Sequence, residues 1–378
     1  MRMDHFSILN DTLAEPYAET ARSQAFAQAA NPVIFTVHHT TIAIQMPTQL
    51  GCRPAMTPIA PYSVSDHCDG RLFFNPGLSK VPNWRQVLRW KFSSRPARWP
   101  KKIVLQRYLR PPIAAGAVRV TWINHATLLL ETPQGNFLTD PVFSPCCGPF
   151  GRIGPKRVHP PGVPLHELPE IHFVLLSHDH YDHCDLPSLR LLAQAHDPIA
   201  ITPLGNRDLL ARAGLSRIGE LDWWQNYSRE PNLTITVTPS QHWSNRLSKP
   251  RYGRLWGGFF IEAGDYRLYF ASDTGYHPSL FTGIGKKLGQ PDLAMIPIGA
   301  YEPRWFMCDQ HCNPAEAVQI HCDLRARTSV AMHWGTFQLT DEGRDEPPRA
   351  LQAALVDAHL TPNDFRVLEP GEHMLVSK

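Results

Sequence analysis

Nine residues, 177–185, are the sequence feature that most strongly constrains the fold of this chain. It reads S-H-D-H-Y-D-H-C-D and directly follows the apolar run IHFVLL, which has the length of a buried strand. Alternate residues of an extended segment point to the same side, so His178 and His180 can bind one ion. Asp182 and His183 begin the next turn and can reach a second ion. Although the chain has 19 histidines, this spacing at a strand end is typical of a site for zinc or, less selectively, iron or manganese.

Three other polar residues stand at the ends of predicted strands. His242 follows LTITVTPSQ, Asp273 follows YRLYFAS, and His333 closes TSVAMH. If these strands belong to one layered system of sheets, their ends meet at one edge and gather all these side chains there. We expect the first ion to bind His178, His180 and His242, the second ion to bind Asp182, His183 and His333, and Asp273 to bridge the two.

This set of ligands predicts hydrolysis. Two ions about 3.5–4 Å apart bind a shared water, lower its pKa and clamp an in-line displacement. The bridging hydroxide is the expected nucleophile, with Asp182 and Asp273 as the catalytic ligands. A phosphodiester is the favoured substrate because its non-bridging oxygens can span both ions. Two other classes stay open: a nuclease, lactone or ester hydrolase that uses the same metals, and a catalytically silent metal-binding or lipid-binding scaffold.

The pattern of hydrophobic residues indicates a large α/β protein. The chain has 378 residues, of which 43% are hydrophobic, so it can bury a sizeable core. No run of about 18 apolar residues occurs, so no transmembrane helix is expected. The predicted strands form two groups, with helices between and after them. Residues 118–132 and 136–143 flank the turn PQG and predict a hairpin. Residues 313–324 predict a helix that begins with an Asn cap, a Pro and, at Glu316, a capping box.

The ends of the chain and its cysteines bear on organisation and location. We predict a poorly ordered extension over residues 1–70 and a hydrolase domain over residues 71–378, which begins with a basic lead-in at 71–116. The stretch TQLGC at 48–52 resembles a lipoprotein cleavage site only faintly, so secretion is not expected. The eight cysteines show no C-x-x-C pair, which favours reduced thiols in a cytoplasmic protein.

Basic charge is concentrated in one part of the chain. Residues 71–130 carry twelve of the 37 Lys and Arg residues and none of the 34 Asp and Glu residues. Within them, the run 83–102 places Trp84, Trp90 and Trp99 between the charges. Cations beside interfacial aromatics suit an anionic lipid surface, so we predict peripheral docking at the inner face of a membrane. Nucleic-acid phosphates, or a solvated basic face with the Trp rings packed on the domain, would suit the same pattern. A homodimer is left open.

Longer segments around the expected ligands carry a family resemblance. They include WINHATLLLE, FLTDPVF, ELPEIHFVLLSHDHYDHCD, TPSQHW, FASDTGY, DLAMIPIGAYEPRWFM and AMHWGTF. From about Phe73 to the C-terminus, the chain resembles the N-acylphosphatidylethanolamine-hydrolysing phospholipase D family of the metallo-β-lactamase superfamily. The resemblance implies a four-layer αβ/βα sandwich of two mixed β-sheets flanked by helices, with two zinc ions per chain. It also implies hydrolysis of a phospholipid to phosphatidic acid and an N-acylethanolamine, and it argues against a nucleic-acid partner.

The resemblance also implies roles for residues beside the ligands. Gln310 and His311 match the Gln-His pair that contacts substrate in the family, and Tyr181 is implied to line the site. Asp140 in LTDP and His125 in NHAT are interpreted as groups that orient ligands from outside the metal shell. Loop packing and turn capping are the alternatives for these residues.

Three positions distinguish this chain from related sequences. His180 stands where the flavin-linked di-iron branch of the superfamily has Glu, which favours hydrolysis over redox chemistry. Asn124 replaces the usual Gly before HAT, and Asp179 replaces the usual Asn between two ligands. Neither change removes a ligand, so the chemistry is expected to be intact while the lipid preference stays open.

Overall fold

Residues 61–77 and 84–378 are described by the computed structural model, except for the side chains of residues 84 and 91. Within these ranges the chain forms fourteen β-strands and seven α-helices. The strands are β1 (Arg119–Asn124), β2 (Thr127–Thr132), β3 (Gly135–Thr139), β4 (Phe173–Leu175), β5 (Ile199–Pro203), β6 (Ile218–Leu221), β7 (Asn226–Arg229), β8 (Leu233–Thr238), β9 (Gly258–Ala263), β10 (Tyr266–Phe270), β11 (Leu293–Pro297), β12 (Thr328–Met332), β13 (Phe365–Arg366) and β14 (His373–Leu375). The helices are α1 (Trp84–Ser93), α2 (Leu186–His196), α3 (Arg207–Arg212), α4 (Pro278–Leu288), α5 (Arg304–Met307), α6 (Pro314–Leu324) and α7 (Glu346–Asp357).

The structured unit begins earlier than the sequence predicts. Residues Tyr62–Lys378 belong to one compact unit, so residues 62–70 lie within it and not in the predicted extension. Phe73 fastens this early segment to the rest of the unit, because its backbone N–H donates to Tyr252 O (2.9 Å). The remainder of the predicted extension, residues 1–60, lies outside the described ranges. Among the helices of the described ranges, none is both long and apolar enough to cross a membrane.

The strands form two seven-stranded mixed sheets. The first has the order β14-β1-β2-β3-β4-β5-β6, and the second has the order β13-β12-β11-β10-β9-β8-β7. In the first sheet, the strands from β14 to β3 are antiparallel and those from β3 to β6 are parallel. In the second sheet, β7 to β10 are antiparallel and β10 to β13 are parallel. The parallel halves need crossover connections, which the helices supply.

Alternation along β1 and β2 sets the order of the layers. Val120, Trp122 and Leu128 point into a core between the two sheets. Ile123 and Leu129 point the other way, into a second core that is shared with α2 and α3. Helix α6 packs against α4, against α7 and against β11 of the second sheet. The predicted four-layer αβ/βα sandwich of two mixed sheets is confirmed.

The predicted hairpin differs in one respect. The sequence treats residues 118–132 as one strand, whereas the structure divides them into β1 and β2, joined by a turn in which His125 has a φ of 43°. β2 then pairs with β3, with Leu129 opposite Leu138. The turn between β1 and β2 lacks the Gly or Pro that would mark it, so the apolar run reads as continuous.

Helix α6 begins as its sequence predicts. Asn313 Oδ1 accepts a hydrogen bond from Glu316 N (2.8 Å), and Asn313 N donates to Glu316 Oε2 (2.8 Å). Pro314 occupies the first helical position, where its missing N–H costs nothing. The predicted capping box is therefore confirmed.

A buried ion pair joins the first two strands at the end of the hairpin far from the His125 turn. Arg119 lies directly opposite Glu131, and its Nε and Nη2 donate to the two carboxylate oxygens at 2.6 and 2.7 Å. Arg110 Nη2 adds a third contact at 2.8 Å. Burial alone would raise the pKa of Glu131, but the two guanidinium groups outweigh burial and lower it.

We expect Glu131→Gln to lower the free energy of unfolding by about 3–5 kcal/mol, because it leaves two partly buried guanidinium groups without their carboxylate. Urea denaturation at pH 7 measures the loss. The exposed pair Glu262–Arg267 (4.0 Å) is the control, and Glu262→Gln should cost less than about 1 kcal/mol. Since the folded-state pKa of Glu131 is lowered, its contribution is present above the ordinary carboxyl pKa and is lost as the pH falls through the folded-state value. The gap between wild type and Glu131→Gln should therefore shrink on acidification, and a gap independent of pH would contradict this account.

Candidate metal centre

The ends of five strands from both sheets bring polar side chains together. Asp140, Ser272 and His333 have φ angles of 31°, 58° and 60°, in the left-handed region that residues other than glycine rarely adopt. Such conformations occur where the surrounding structure fixes a functional group. The side chains concerned are Asp140 after β3, His178 after β4, His242 after β8, Asp273 after β10 and His333 after β12.

Three histidines form a first cluster. His178 Nε2 and His242 Nε2 lie 3.0 and 3.2 Å from His180 Nδ1. His242 Nδ1 donates to Gln310 O (3.0 Å), and His178 Nδ1 donates to the hydroxyl of Ser177 (2.8 Å), which itself donates to a carboxylate. Both Nε2 atoms therefore direct lone pairs at the same point, which is the arrangement that a cation requires.

A second cluster is centred on Asp182. His183 Nε2 and His333 Nε2 lie 3.4 and 3.5 Å from Asp182 Oδ2. His125 Nε2 donates to the same oxygen at 3.0 Å, and the His125 ring lies against that of His333, with centroids 3.9 Å apart. These four side chains converge closely enough to share one ion. The structure therefore places His125 in direct contact with an expected ligand, closer to the centre than the sequence indicates.

Asp273 lies between the two clusters. Its Oδ1 is 3.0 Å from His333 Nε2, and its Oδ2 is 3.1 Å from His183 Nε2. The same Oδ2 is 3.6 Å from His242 Nε2 and 4.0 Å from His178 Nε2. The carboxylate thus faces both groups of histidines, which is the position that the predicted bridging role requires.

Asp140 supports the second cluster from behind. It accepts hydrogen bonds from His183 Nδ1 (2.7 Å), Ser177 N (2.8 Å) and Ser177 Oγ (2.6 Å). Because Nδ1 of His183 carries the proton, Nε2 is left to face the cluster. The geometry fits the orienting role that the sequence implies for Asp140.

Burial and charge set the protonation states of the centre. Burial lowers the pKa of His180 to about 3 and that of His242 to about 4, so both are neutral imidazoles, the form that binds metals. Burial alone would raise the pKa of Asp182 and Asp273, but the positive charge of the His183 imidazolium and contacts with neighbouring histidines outweigh burial and lower both well below the usual range. The carboxylates in turn overcome burial to raise the pKa of His183 well above its usual value and that of His333 to about 9. The centre therefore combines neutral nitrogens on His180 and His242 with ionised, buried carboxylates that are paired with His183 and His333.

The donor set fits divalent metal ions. Three buried atoms at its heart make ion-pair contacts with one another or with Asp273 but no well-aligned hydrogen bond among the described residues: His183 Nε2, His333 Nε2 and Asp273 Oδ1. Buried polar atoms without partners are rare and costly. Imidazole nitrogens together with carboxylate oxygens are ligands of zinc and of related transition metals, so metal binding would satisfy these atoms.

A pocket of about 1070 Å³, part of it open to solvent, leads to the centre. The side chains of His180, Asp182 and Asp273 line it. The residues that the resemblance implies for substrate binding also line it: Tyr181, Gln310 and His311.

Gln310 and His311 present polar atoms beside the centre. His311 Nδ1 lies 4.0 Å from Asp273 Oδ2, and neither this nitrogen nor Gln310 Oε1 has a hydrogen-bond partner within the described part of the chain. Gln310 also supports the first cluster through its backbone carbonyl, which accepts from His242. Both side chains can thus meet polar atoms of a substrate that enters the pocket.

The other walls of the pocket are mainly apolar, and sequence reasoning missed them. Trp90 of α1 is only 6% exposed and stacks on Phe306 of α5, with centroids 5.0 Å apart. The expectation that Trp90 docks on a lipid surface is therefore wrong, because its ring is packed on the domain. Trp99 is also held by the domain, through a hydrogen bond from its Nε1 to Glu342 O (2.9 Å). The side chain of Trp84 lies outside the described part. The apolar lining residues include Trp90, Pro149, Pro155, Trp243, Phe306, Met307 and Leu339.

Comparison with known proteins agrees with this geometry. Residues 135–334 match the family described as the Beta-lactamase superfamily domain. N-acyl-phosphatidylethanolamine-hydrolyzing phospholipase D 1 of Caenorhabditis elegans is 38% identical over 263 residues, which are 67% of this chain and 74% of that protein. The mitochondrial N-acyl-phosphatidylethanolamine-hydrolyzing phospholipase D of Saccharomyces cerevisiae is 34% identical over 237 residues, 61% of this chain and 50% of that protein. A solved structure, a metallo hydrolase from the archaeon Ignicoccus hospitalis, matches with a TM-score of 0.51 over 69% of this chain and 99% of that chain. At 19% identity, this likeness shows the fold alone.

The fold and the centre together define a metal-dependent hydrolase with the metallo-β-lactamase architecture. Within the beta-lactamase superfamily, the chain belongs to the N-acylphosphatidylethanolamine-hydrolysing phospholipase D family.

We expect Asp140→Asn to weaken metal binding at the second cluster by about 10–100-fold, because the amide no longer fixes the proton of His183 on Nδ1. Competition with a chelator measures the affinity. Asp292 offers a control, since it stands directly before β11, at the strand end away from the centre, and its carboxylate likewise accepts a backbone hydrogen bond, from Arg267 N (2.9 Å). Asp292→Asn should keep the wild-type affinity. Equal affinity in Asp140→Asn and wild type would show that Asp140 does not orient His183.

Proposed function

We propose that this chain is a zinc-dependent phosphodiesterase of the phospholipase D type. Its substrates would be N-acylphosphatidylethanolamine-like phospholipids, and its products phosphatidic acid and an N-acylethanolamine. The main support for the proposal is that one pocket combines a polar and an apolar environment. Two clusters of His and Asp side chains, which share Asp273, lie beside apolar walls. The names of the two phospholipase D relatives support the same substrate.

The metal centre suits a phosphodiester because it offers two groups of ligands around one carboxylate. His178, His180 and His242 would hold one zinc ion, Asp182, His183 and His333 would hold the other, and Asp273 would contact both. The bound ions would supply Lewis acidity to the phosphoryl oxygens and lower the pKa of the attacking water.

The chain's own residues keep this centre fixed. Asp140 holds His183 in one tautomer, and His125 fixes one oxygen of Asp182 through a 3.0 Å hydrogen bond. His311 and Gln310 are then free to bind polar atoms of the substrate near phosphorus. Because these groups are buried before substrate arrives, little reorganisation is needed during the reaction.

The apolar walls suit the hydrocarbon part of a phospholipid. Each methylene that leaves water contributes about 0.8 kcal/mol, so the faces of Trp90, Phe306 and Met307 would favour a substrate with long chains. A nuclease substrate could stack bases on the aromatic rings, but it has no hydrocarbon chains for the aliphatic part of these walls.

Hydrolysis of N-acylphosphatidylethanolamine in mixed micelles, with the products identified by mass, tests the proposal directly. Wild type should release phosphatidic acid and an N-acylethanolamine. Asp273→Asn, compared at matched zinc content, should lose at least about 100-fold in rate, because the carboxylate that faces both clusters is gone. Hydrolysis of a generic phosphodiester but not of the lipid would move the substrate to a nuclease, lactone or ester class while keeping the metal chemistry. A fully metallated protein that hydrolyses neither would refute the proposal.

We further propose that the rim of the pocket docks on an anionic lipid surface. Segments that line the pocket also expose apolar side chains, with Phe92 of α1 88% exposed and Phe150 80% exposed. Exposed basic residues lie in the same segments, among them Arg89 and Arg152. The exposed apolar residues of these segments are Leu88, Phe92, Phe150, Ile153 and Trp305. Cations interleaved with exposed hydrophobic groups are suited to the headgroup region of an anionic membrane.

We propose that the protein docks on the cytoplasmic face of the membrane. The seven cysteines in the described part of the chain are free thiols, and five of them are buried. Persistent thiols fit a reducing compartment. Redox-sensitive labelling of the protein in intact and permeabilised cells would locate that face.

We expect the double variant Phe92→Asp, Phe150→Asp to bind anionic vesicles at least about tenfold more weakly than wild type, since inserting one Phe contributes about 1.5–3 kcal/mol. Sedimentation with phosphatidylglycerol vesicles measures the binding. Val356→Asp is the matched control, because Val356 is 72% exposed on α7 and should leave binding unchanged. Hydrolysis of a short-chain substrate below its micellar concentration should be the same in all three proteins. Equal vesicle binding by the double variant and wild type would exclude this docking face.

A further inference from the structure

One arginine spans the loop that carries four of the expected metal ligands. We call residues 177–185 the ligand loop. Arg246 Nη1 donates to Asp179 O at 2.8 Å and to Cys184 O at 2.9 Å. The first carbonyl follows His178 directly and the second follows His183 directly, so a single nitrogen ties the two ends of the ligand loop together.

The guanidinium group of Arg246 also covers the middle of the ligand loop. Its carbon atom Cζ lies 4.1 Å from the ring centroid of Tyr181, within the range of a cation–π contact. Arg246 is only 8% exposed, and no ion pair among the described residues includes it. Its charge therefore faces backbone carbonyls and an aromatic ring of the ligand loop, and it also acts electrostatically on the carboxylate of Asp179 in the same loop.

The loop that presents Arg246 is itself fixed. We call residues 244–254 the clamp loop. Its ends are joined by a hydrogen bond from Ser244 Oγ to Arg254 O (2.6 Å). Arg254 is fully buried and donates to Gly205 O (3.0 Å) and to Asp208 (2.9 Å). The clamp loop thus gives Arg246 a rigid base.

The acidic residue between two expected ligands belongs to the same clamp. Asp179 turns its side chain toward the clamp loop, where Oδ1 accepts from Asn245 N (2.9 Å) and Oδ2 lies 3.4 Å from Arg254 Nη1. A carboxylate here adds a charge contact to Arg254, so Asp179 holds the ligand loop to the clamp loop through its side chain as well as its carbonyl.

We propose that Arg246 is a positioning residue of the metal centre, which sets the geometry of the ligand loop and thereby its affinity for metal. His178, His180, Asp182 and His183 occupy six consecutive positions, and their donor atoms must converge on two points. A loop this short has few internal hydrogen bonds to define it, the shortest being Cys184 N to His180 O (2.7 Å). Fixing the distance between its two ends removes the opening motion that would separate the histidines. The inference concerns the metal centre alone, so it does not depend on which substrate the enzyme uses.

Metal affinity, measured by zinc competition with a chelator on the full chain, tests this role. Arg246→Met removes both carbonyl contacts and should weaken zinc binding by about 10–100-fold, the usual effect of losing a group that orients ligands. Arg246→Lys should restore most of the affinity, because an ammonium has three donors for the two carbonyls. Arg246→Gln offers an uncharged amide on a shorter side chain, whose two N–H groups reach the carbonyls less well, and should fall between the two. It keeps the test available if the Met variant does not fold.

Arg119→Met separates positioning from general destabilisation. Arg119 is equally buried, but it pairs with Glu131 at the far end of the β1–β2 hairpin, about 20 Å along the strand from His125 at roughly 3.3 Å per residue. This variant should unfold at a lower temperature in the metal-free state and keep wild-type zinc affinity. Zinc affinity that is unchanged in both Arg246→Met and Arg246→Gln would overturn the proposal. So would a loss in the Arg246 variants no larger than the loss in Arg119→Met.

Discussion

The carboxylate of Asp273 is the group on which the rest of the centre depends. It is buried between five imidazole rings, and it stays ionised there because the positive charges of His183 and His333 hold its pKa well below the usual range. An ionised carboxylate in such a place is costly unless its surroundings are arranged around it. The backbone is strained at Ser272, immediately before Asp273, and at His333, opposite it. This strain lowers folding stability, and it persists because the surrounding structure fixes the arrangement around the carboxylate.

Neither sheet contains a complete cluster. The first sheet supplies His178, His180, Asp182 and His183 from the loop after β4, and the second supplies His242, Asp273 and His333. Each cluster combines residues from both sheets, so an ion bound in either one joins the two halves of the sandwich. Metal affinity and folding stability are therefore linked in this protein, because the sheets must be packed before the ligands can meet.

The features that could be predicted from the sequence are those with a local signal. The ligands follow buried strands at recognisable spacings, and Asn313 with Glu316 marks the start of α6. The His125 turn could not be predicted, because the apolar pattern of β1 and β2 continues across it without Gly or Pro. The position of Trp90 could not be predicted either: an amphipathic basic helix has the same pattern whether its Trp faces lipid or Phe306. Whether Trp90 faces lipid or Phe306 is decided by packing between residues about two hundred positions apart. A single sequence contains no local signal for such packing.

The location of α1 outside the superfamily domain has a consequence for how this enzyme can change. All seven expected metal ligands lie within residues 135–334, the part that matches the superfamily domain. Trp90, which forms part of the apolar wall, lies outside that part. The metal ligands and this part of the apolar wall are thus carried by separate stretches of chain. A substitution at Trp90 can reshape the wall without touching any expected metal ligand, whereas Phe306 and Met307, which face the same pocket, are part of the domain that carries the ligands.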